Sequence, residues 1–274
     1  MKRLYYGLGK ANFIQYVVFA IFLLVFYLPL ANLAMLAFGN RYEAPAVFPQ
    51  EFGFRWWEFV LSQKSLLSAI STSFILAIVV TIVSMIICLP AAYALARYEF
   101  KGRRFLQFSF LLCNAFPKMG LYISIAIVYY KLNLMGTFVG VVLIHVINTM
   151  MFMTWIPAGA FRSVHRQQEE AARDAGAGAM LTFMKITLPM AMPGIAVASI
   201  FTFLASIEEA QGTLLVGFPQ VKTIPVELYG VIMQYPTSAG PVLSIILILP
   251  TIVIMLIAKK YISADAISKG FNAK

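Results

Sequence analysis

Glu208 and Glu209 are adjacent carboxylates in an otherwise apolar run from 194 to 216, where a charge is costly to place. Such a pair can act as acid and base, accept hydrogen bonds from a polar solute, or hold a cation. The first role needs both groups to converge, yet neighbours on a helix point about 100° apart, so these two diverge. At least one must line a polar interior or pair with a cation such as Lys118. That lysine lies with Asn114 and Pro117 in another apolar run, where a charge costs roughly 2.5–3.5 kcal/mol. Two readings stay open for it: a cavity or partner contact, or a long stem snorkelling to the outer headgroups. Asn148 shares a helical face with His145, a histidine read first as a hydrogen-bonded packing residue, with cavity lining as the alternative. Glu208, Glu209, Asn148, Asn114 and Lys118 are therefore the candidates for lining a path through a membrane. No metal site is expected: neither His145 nor His165 sits in HExxH, and Cys88 and Cys113 have no ligand spacing. Nothing supplies a nucleophile with its base, and there is no glycine-rich phosphate loop, so this chain is not expected to be an enzyme.

A second charged cluster lies outside any apolar run. Residues 169–193, EEAARDAGAGAMLTFMKITLPMAMP, form the longest stretch that cannot sit in a bilayer. Glu170, Arg173 and Asp174 fall three and four residues apart, so one helical turn carries them on one side, while Ala171, Ala172 and Ala175 keep the rest slim. Gly176 supplies the left-handed stop for such a helix. A second short run over 180–187 follows, and Pro189 and Pro193 are expected to forbid unbroken continuation into the next apolar segment.

The elements that position both clusters are membrane helices. With 61% hydrophobic and 12% charged residues, a chain of 274 residues has too little polar surface to cover a soluble globule. The net charge of +10 lies in short clusters beside apolar runs, as orientation signals do, which argues against nucleic acid as a partner. Six spans are expected, at about 13–38, 66–96, 105–130, 138–158, 194–216 and 242–258, in a single membrane domain over 1–274 with a cytoplasmic loop at 159–193. The first run exceeds a signal-peptide core, although Ala44-Pro45-Ala46 resembles a cleavage site. Trp56 and Trp57 suit a short external amphipathic helix at the interface, and the proline-rich 217–240 segment suits an external loop with a re-entrant helix. By this topology fifteen of the 21 Lys and Arg are inside, five outside and Lys118 within a span, which places both termini in the cytoplasm.

Glu170-Ala171-Ala172, Gly176, Ile186 and Leu188-Pro189 have the spacing of the EAA loop and resemble that of ABC importer permeases. The resemblance implies an all-α integral membrane protein of type I importer architecture, with a coupling helix in the cytoplasmic loop of a bacterial inner-membrane complex. It implies an ATPase dimer that uses ATP and Mg, a second permease subunit and an external solute-binding protein as partners, with no cofactor in this chain. The docking residues it implies are Glu169, Glu170, Ala171, Ala172, Arg173, Asp174, Gly176, Ile186, Leu188 and Pro189. For the substrate, the basic loop from Ala92 to Arg104, the turn from Lys131, Phe161-Arg162-Ser163 and the tail from Lys260 are similar to the maltose-type sugar branch. Arg173-Asp174-Ala175-Gly176 is nearer the polyamine branch, and Glu208-Glu209 would suit a cationic solute. A sugar or sugar derivative is the leading expectation, a polyamine or other small organic cation or ion the alternative. A channel acting alone would have no use for the docking loop.

Overall fold

The computed structural model describes residues 10–43, 45–234 and 239–258; the expected cationic start at Lys2 and Arg3, and the tail from Lys259, lie outside them. The described residues fall into two compact units, one of those within 10–63 and 230–246, the other of those within 64–229 and 247–258. In the first unit, α1 (Lys10–Ala37) is strongly apolar and exposed over most of Ile14–Ala34, as a helix solvated by lipid would be, with Leu36 and Ala37 buried at its end. A two-stranded antiparallel hairpin follows, β1 (Gly39–Arg41) with β2 (Glu51–Phe52), and then the amphipathic α2 (Arg55–Ser62). Asn40 joins them: its carbonyl accepts from Trp56 Nε1 at 3.2 Å and its Oδ1 from the Arg55 amide at 3.1 Å.

The second unit holds both candidate sites. Its long helix α3 (Lys64–Arg97) buries Ala69, Ser73, Ala77, Ser84, Cys88 and Ala92, a small-residue face that lets neighbouring helices come close. Next come α4 (Arg103–Ala115), α5 (Lys118–Lys131) and α6 (Phe138–Ser163). The span expected over 105–130, with Pro117 as a breaking residue inside it, is this α4–α5 pair, bent by 103°. Pro117 is the cause: it forces Phe116 into extended backbone (φ −81°, ψ 152°) and cannot donate to the preceding turn.

After α6 the chain forms α7 (Arg166–Asp174), the single turn α8 (Ala179–Thr182), a π-helical turn (Phe183–Thr187) and α9 (Leu188–Ile207). Here the expectation that Pro189 and Pro193 interrupt the chain is overturned, since helix runs from Ala179 to Ile207 without a break. The π turn is the reason. Pro189 has no N–H for the carbonyl four residues back, at Lys185, and that carbonyl lies inside a widened turn where Leu188 bonds to Phe183, five residues back. The expected fifth span at 194–216 therefore starts earlier and ends at Ile207, and a short α10 (Gln211–Val216) follows a break at 208–210. The apolar α11 (Ile224–Gln234) occupies the expected re-entrant segment, and α12 (Ala239–Ala258) closes the described chain.

Helices α3, α6 and α9 pack on one another. Gly194 of α9 sits so close to Ala160 of α6 that no side chain fits between them. At one end Leu76, Val80, Tyr122, Ile144 and Val216 form the core; at the other Ala92, Phe161, Val164, Ala191 and Ile195 do. Among the described residues, five helices are long and apolar enough to cross a membrane, and six if the bent pair counts as one span.

Candidate functional site

The charged loop is built around the end of α7. Gly176 has φ +88°, its amide donates to the Arg173 carbonyl at 2.9 Å, and the Ala177 amide donates to the Ala172 carbonyl at 3.0 Å. These two reversed bonds are a Schellman motif, which needs the left-handed backbone that glycine adopts without strain. Open space surrounds the Gly176 Cα, so the requirement is one of backbone alone.

Closing the helix there leaves Glu170, Ala171, Arg173 and Asp174 exposed, with Ala172 half-buried. Past the turn, Met180, Leu181 and Met184 add exposed apolar side chains, Ile186 and Leu188 are half-buried, and Pro189 is exposed. Glu169, expected on the docking face with its neighbours, is instead turned inward because it stands one helical step from Glu170. Its Oε1 accepts from Arg97 Nη2 at 2.7 Å and from Thr187 Oγ1 at 2.6 Å. Arg97 Nη2 also donates to the Val164 carbonyl at 3.0 Å, and Arg166 donates to the Arg97 carbonyl at 3.1 Å. Tyr93 packs edge-on against Phe161 and Phe183 beneath this cluster. A cleft of about 210 Å³ opens beside it, lined by Tyr93, Tyr98, Arg97, Arg166, Glu170 and Arg173.

The membrane candidates gather at two helix breaks. Lys118 is the first residue of α5, next to the Pro117 bend, and Glu209 lies in the break between α9 and α10. The structure brings Lys118 Nζ to 3.5 Å from Glu209 Oε2, which also accepts from Tyr122 Oη at 3.1 Å. Glu209 Oε1 accepts the Gly212 amide at 2.9 Å, so the carboxylate caps the start of α10, where orphan amides favour an anion. Glu208 diverges from it and is exposed. On α6, His145 is fully buried and bridges the same break, with Nδ1 2.9 Å from Ser206 Oγ and Nε2 2.7 Å from Thr213 Oγ1. Asn148, one turn further along α6, is also buried, and its carbonyl accepts from Asn114 Nδ2 at 3.2 Å. Asn114 and Asn148 are thus brought together on the α4–α6 side, apart from the bonds that hold Glu209.

Sequence reasoning passed over Arg97, counted only as an orientation charge, and Tyr122, Thr187, Ser206 and Thr213. The hydroxyls did carry a signal, as polar groups in apolar runs that need a partner. Among the described residues, no cluster of His, Cys, Asp and Glu could hold a metal ion.

Residues 88–267 match the family described as binding-protein-dependent transport system inner membrane component. The chain is 30% identical over 210 residues to an ABC transporter permease protein, ORF1, of Streptomyces antibioticus, covering 76% of this chain and 92% of the relative. It is 25% identical over 216 residues to the spermidine/putrescine transport system permease protein PotC of Escherichia coli (79% and 81% covered). With the trehalose/maltose transport system permease protein MalG of Thermococcus litoralis it shares 28% over 197 residues (70% and 71% covered). The fold is similar to a crystal structure of a bacterial ABC transporter involved in import of the acidic polysaccharide alginate, with a TM-score of 0.74, 19% identity, and 93% of this chain and 97% of that chain covered. A second structure of a bacterial alginate ABC transporter, in complex with a periplasmic protein bound to an alginate pentasaccharide, gives a TM-score of 0.67 at 16% identity, with 94% and 96% covered.

Proposed function

Because the chain belongs to the binding-protein-dependent transport system inner membrane component family, as a permease subunit of an ABC importer, we propose that it couples a separate ATPase to solute passage through the loop at 169–193. A second permease subunit completes the pathway, an external binding protein delivers the solute, and both termini lie on the ATPase side of a bacterial inner membrane. ATP and Mg act in the partner ATPase. The observation that carries this reading is the end of α7: a Schellman turn at Gly176 closes a short helix whose Glu170, Arg173 and Asp174 are exposed. A partner that shifts the spans must make different contacts in its two states, and a short closed helix offers a surface for them.

For the solute we propose a sugar or sugar derivative. Glu209 is already satisfied by Lys118, Tyr122 and Gly212, which leaves Glu208 as the exposed carboxylate at this break. One free acceptor suits a neutral polyol, whereas a polyamine needs several anions to replace its lost hydration. The similarity to a spermidine/putrescine permease favours the second reading, a small organic cation.

Docking is tested by co-purification with the ATPase partner. Gly176→Val, which strains the left-handed position, should lose the ATPase while inserting normally, and Gly176→Asn, which tolerates it, should keep the ATPase. Full ATPase retention in Gly176→Val would sink the docking reading. Topology is tested by thiol labelling in whole cells: a cysteine at Val47 should react with an impermeant reagent and one at Gln167 should not.

A further inference from the structure

Within α7 the only buried residue is Glu169, a charged one. A helix of this kind is ordinarily held by an apolar stripe, and α7 has none. Its side-chain attachment to the rest of the second unit therefore runs through one carboxylate, with Arg166 adding a bond from its exposed guanidinium to the Arg97 carbonyl. The groups that meet at Glu169 stand at the ends of other elements. Arg97 is the last residue of α3, Thr187 the last of the π turn that feeds α9, and Val164, which shares Arg97, caps α6. Helices α3, α6 and α9 are the three that pack together as the core of the unit.

We infer that Arg97, Glu169 and Thr187 form a lock that makes the docking helix one rigid piece with the inner ends of α3, α6 and α9, so that movement of α7 is delivered to the spans. These are positioning residues, since their bonds run to one another; Arg97 and Glu169 also line the cleft beside Glu170 and Arg173 but are nearly closed off from solvent. Burial of an ion pair is weak as a source of stability, because well-packed apolar groups serve as well. Its distinguishing property is direction: short bonds from a guanidinium and a hydroxyl fix α7 in rotation as well as in place, which an apolar contact does not. The inference rests on the docking reading above and can fail separately from it.

The test uses the complete importer complex with Cys88 and Cys113 replaced by serine and a reporter cysteine at Ala205 of α9. Maleimide labelling is timed without nucleotide and after trapping with ATP, Mg and vanadate. In the parent, trapping should change the labelling rate. Glu169→Gln should keep the ATPase bound and hydrolysing, yet shrink that change by about tenfold, the weight of one lost charge-assisted bond. Thr187→Val, which keeps the branched shape and removes only the hydroxyl, should shrink it several-fold and decides the matter if Glu169→Gln inserts poorly. Exchange of the two charges, Arg97→Glu with Glu169→Arg, should restore part of the response. A full response in Thr187→Val or Glu169→Gln overturns the lock. Loss of the ATPase in Thr187→Val also overturns it, by making the cluster part of the docking surface. Absence of any nucleotide response in the parent, or ATPase retained by Gly176→Val, instead overturns the docking reading itself.

Discussion

The loop and the helix break are each organised by two adjacent glutamates, Glu169-Glu170 and Glu208-Glu209, and in both pairs one carboxylate is buried while the other faces out. The buried member holds a cation from a distant helix and a hydroxyl: Arg97 and Thr187 in the loop, Lys118 and Tyr122 at the break. The two sites differ in how closed they are. Arg97 is 8% exposed and 2.7 Å from its acid, whereas Lys118 is 42% exposed and 3.5 Å from an acid that is itself only 3% exposed. A dry, short contact made by one guanidinium nitrogen resists separation; a longer contact to a half-solvated ammonium can open and re-form at small cost. One sequence device thus yields a short, closed joint in the loop and a longer, half-solvated one at the helix break.

Removing single partners sharpens this contrast. Arg97→Met takes the cation from buried Glu169 and leaves it the Thr187 hydroxyl alone, and should cost about 3–5 kcal/mol, seen as a large drop in Tm of the purified complex. Lys118→Met should cost about 1 kcal/mol, because its partner keeps Tyr122 and the Gly212 amide and the lysine was half in water. Glu209→Gln should lower yield by a similar amount, and adding Lys118→Met should restore it. Equal losses from Arg97→Met and Lys118→Met would erase the distinction between the joints. Glu208→Gln tests the outward member: uptake of a sugar should stay within a few-fold, while uptake of a cation should fall by about tenfold or more. The smallest effect is expected from Thr213→Val, which leaves His145 Nε2 without its partner and should cost about 0.6 kcal/mol in a membrane bundle.

The apolar runs, the left-handed Gly176 and the break at Pro117 were readable from residue types, because each follows from a local rule of backbone or hydropathy. The break at 208–210 was not. It contains neither proline nor glycine and is stabilised by groups far away in sequence, Lys118, Tyr122 and His145, so no local signal marks it. The prolines misled for the converse reason: Pro189 does forbid an ordinary turn, but a π turn satisfies that prohibition without ending the helix. The inward turn of Glu169 depended on Arg97 lying across from it, a tertiary fact. Its polarity alone placed it with Glu170.

That π turn also sets the angular phase of everything beyond it. A turn of this kind holds one residue more than an α-helical turn, and each helical residue advances the side chains by about 100°. Thr187 and Ser206, seen along the axis of one continuous helix, are therefore aimed by a shared offset: the first at Glu169, the second at His145. Deleting a residue from Phe183–Thr187 would take away the surplus residue that this wide turn absorbs, and with it the turn that accommodates Pro189. By taking up that residue without ending the helix, Phe183–Thr187 lets one continuous rod carry two joints at once, Thr187 on Glu169 near its start and Ser206 on His145 at its end.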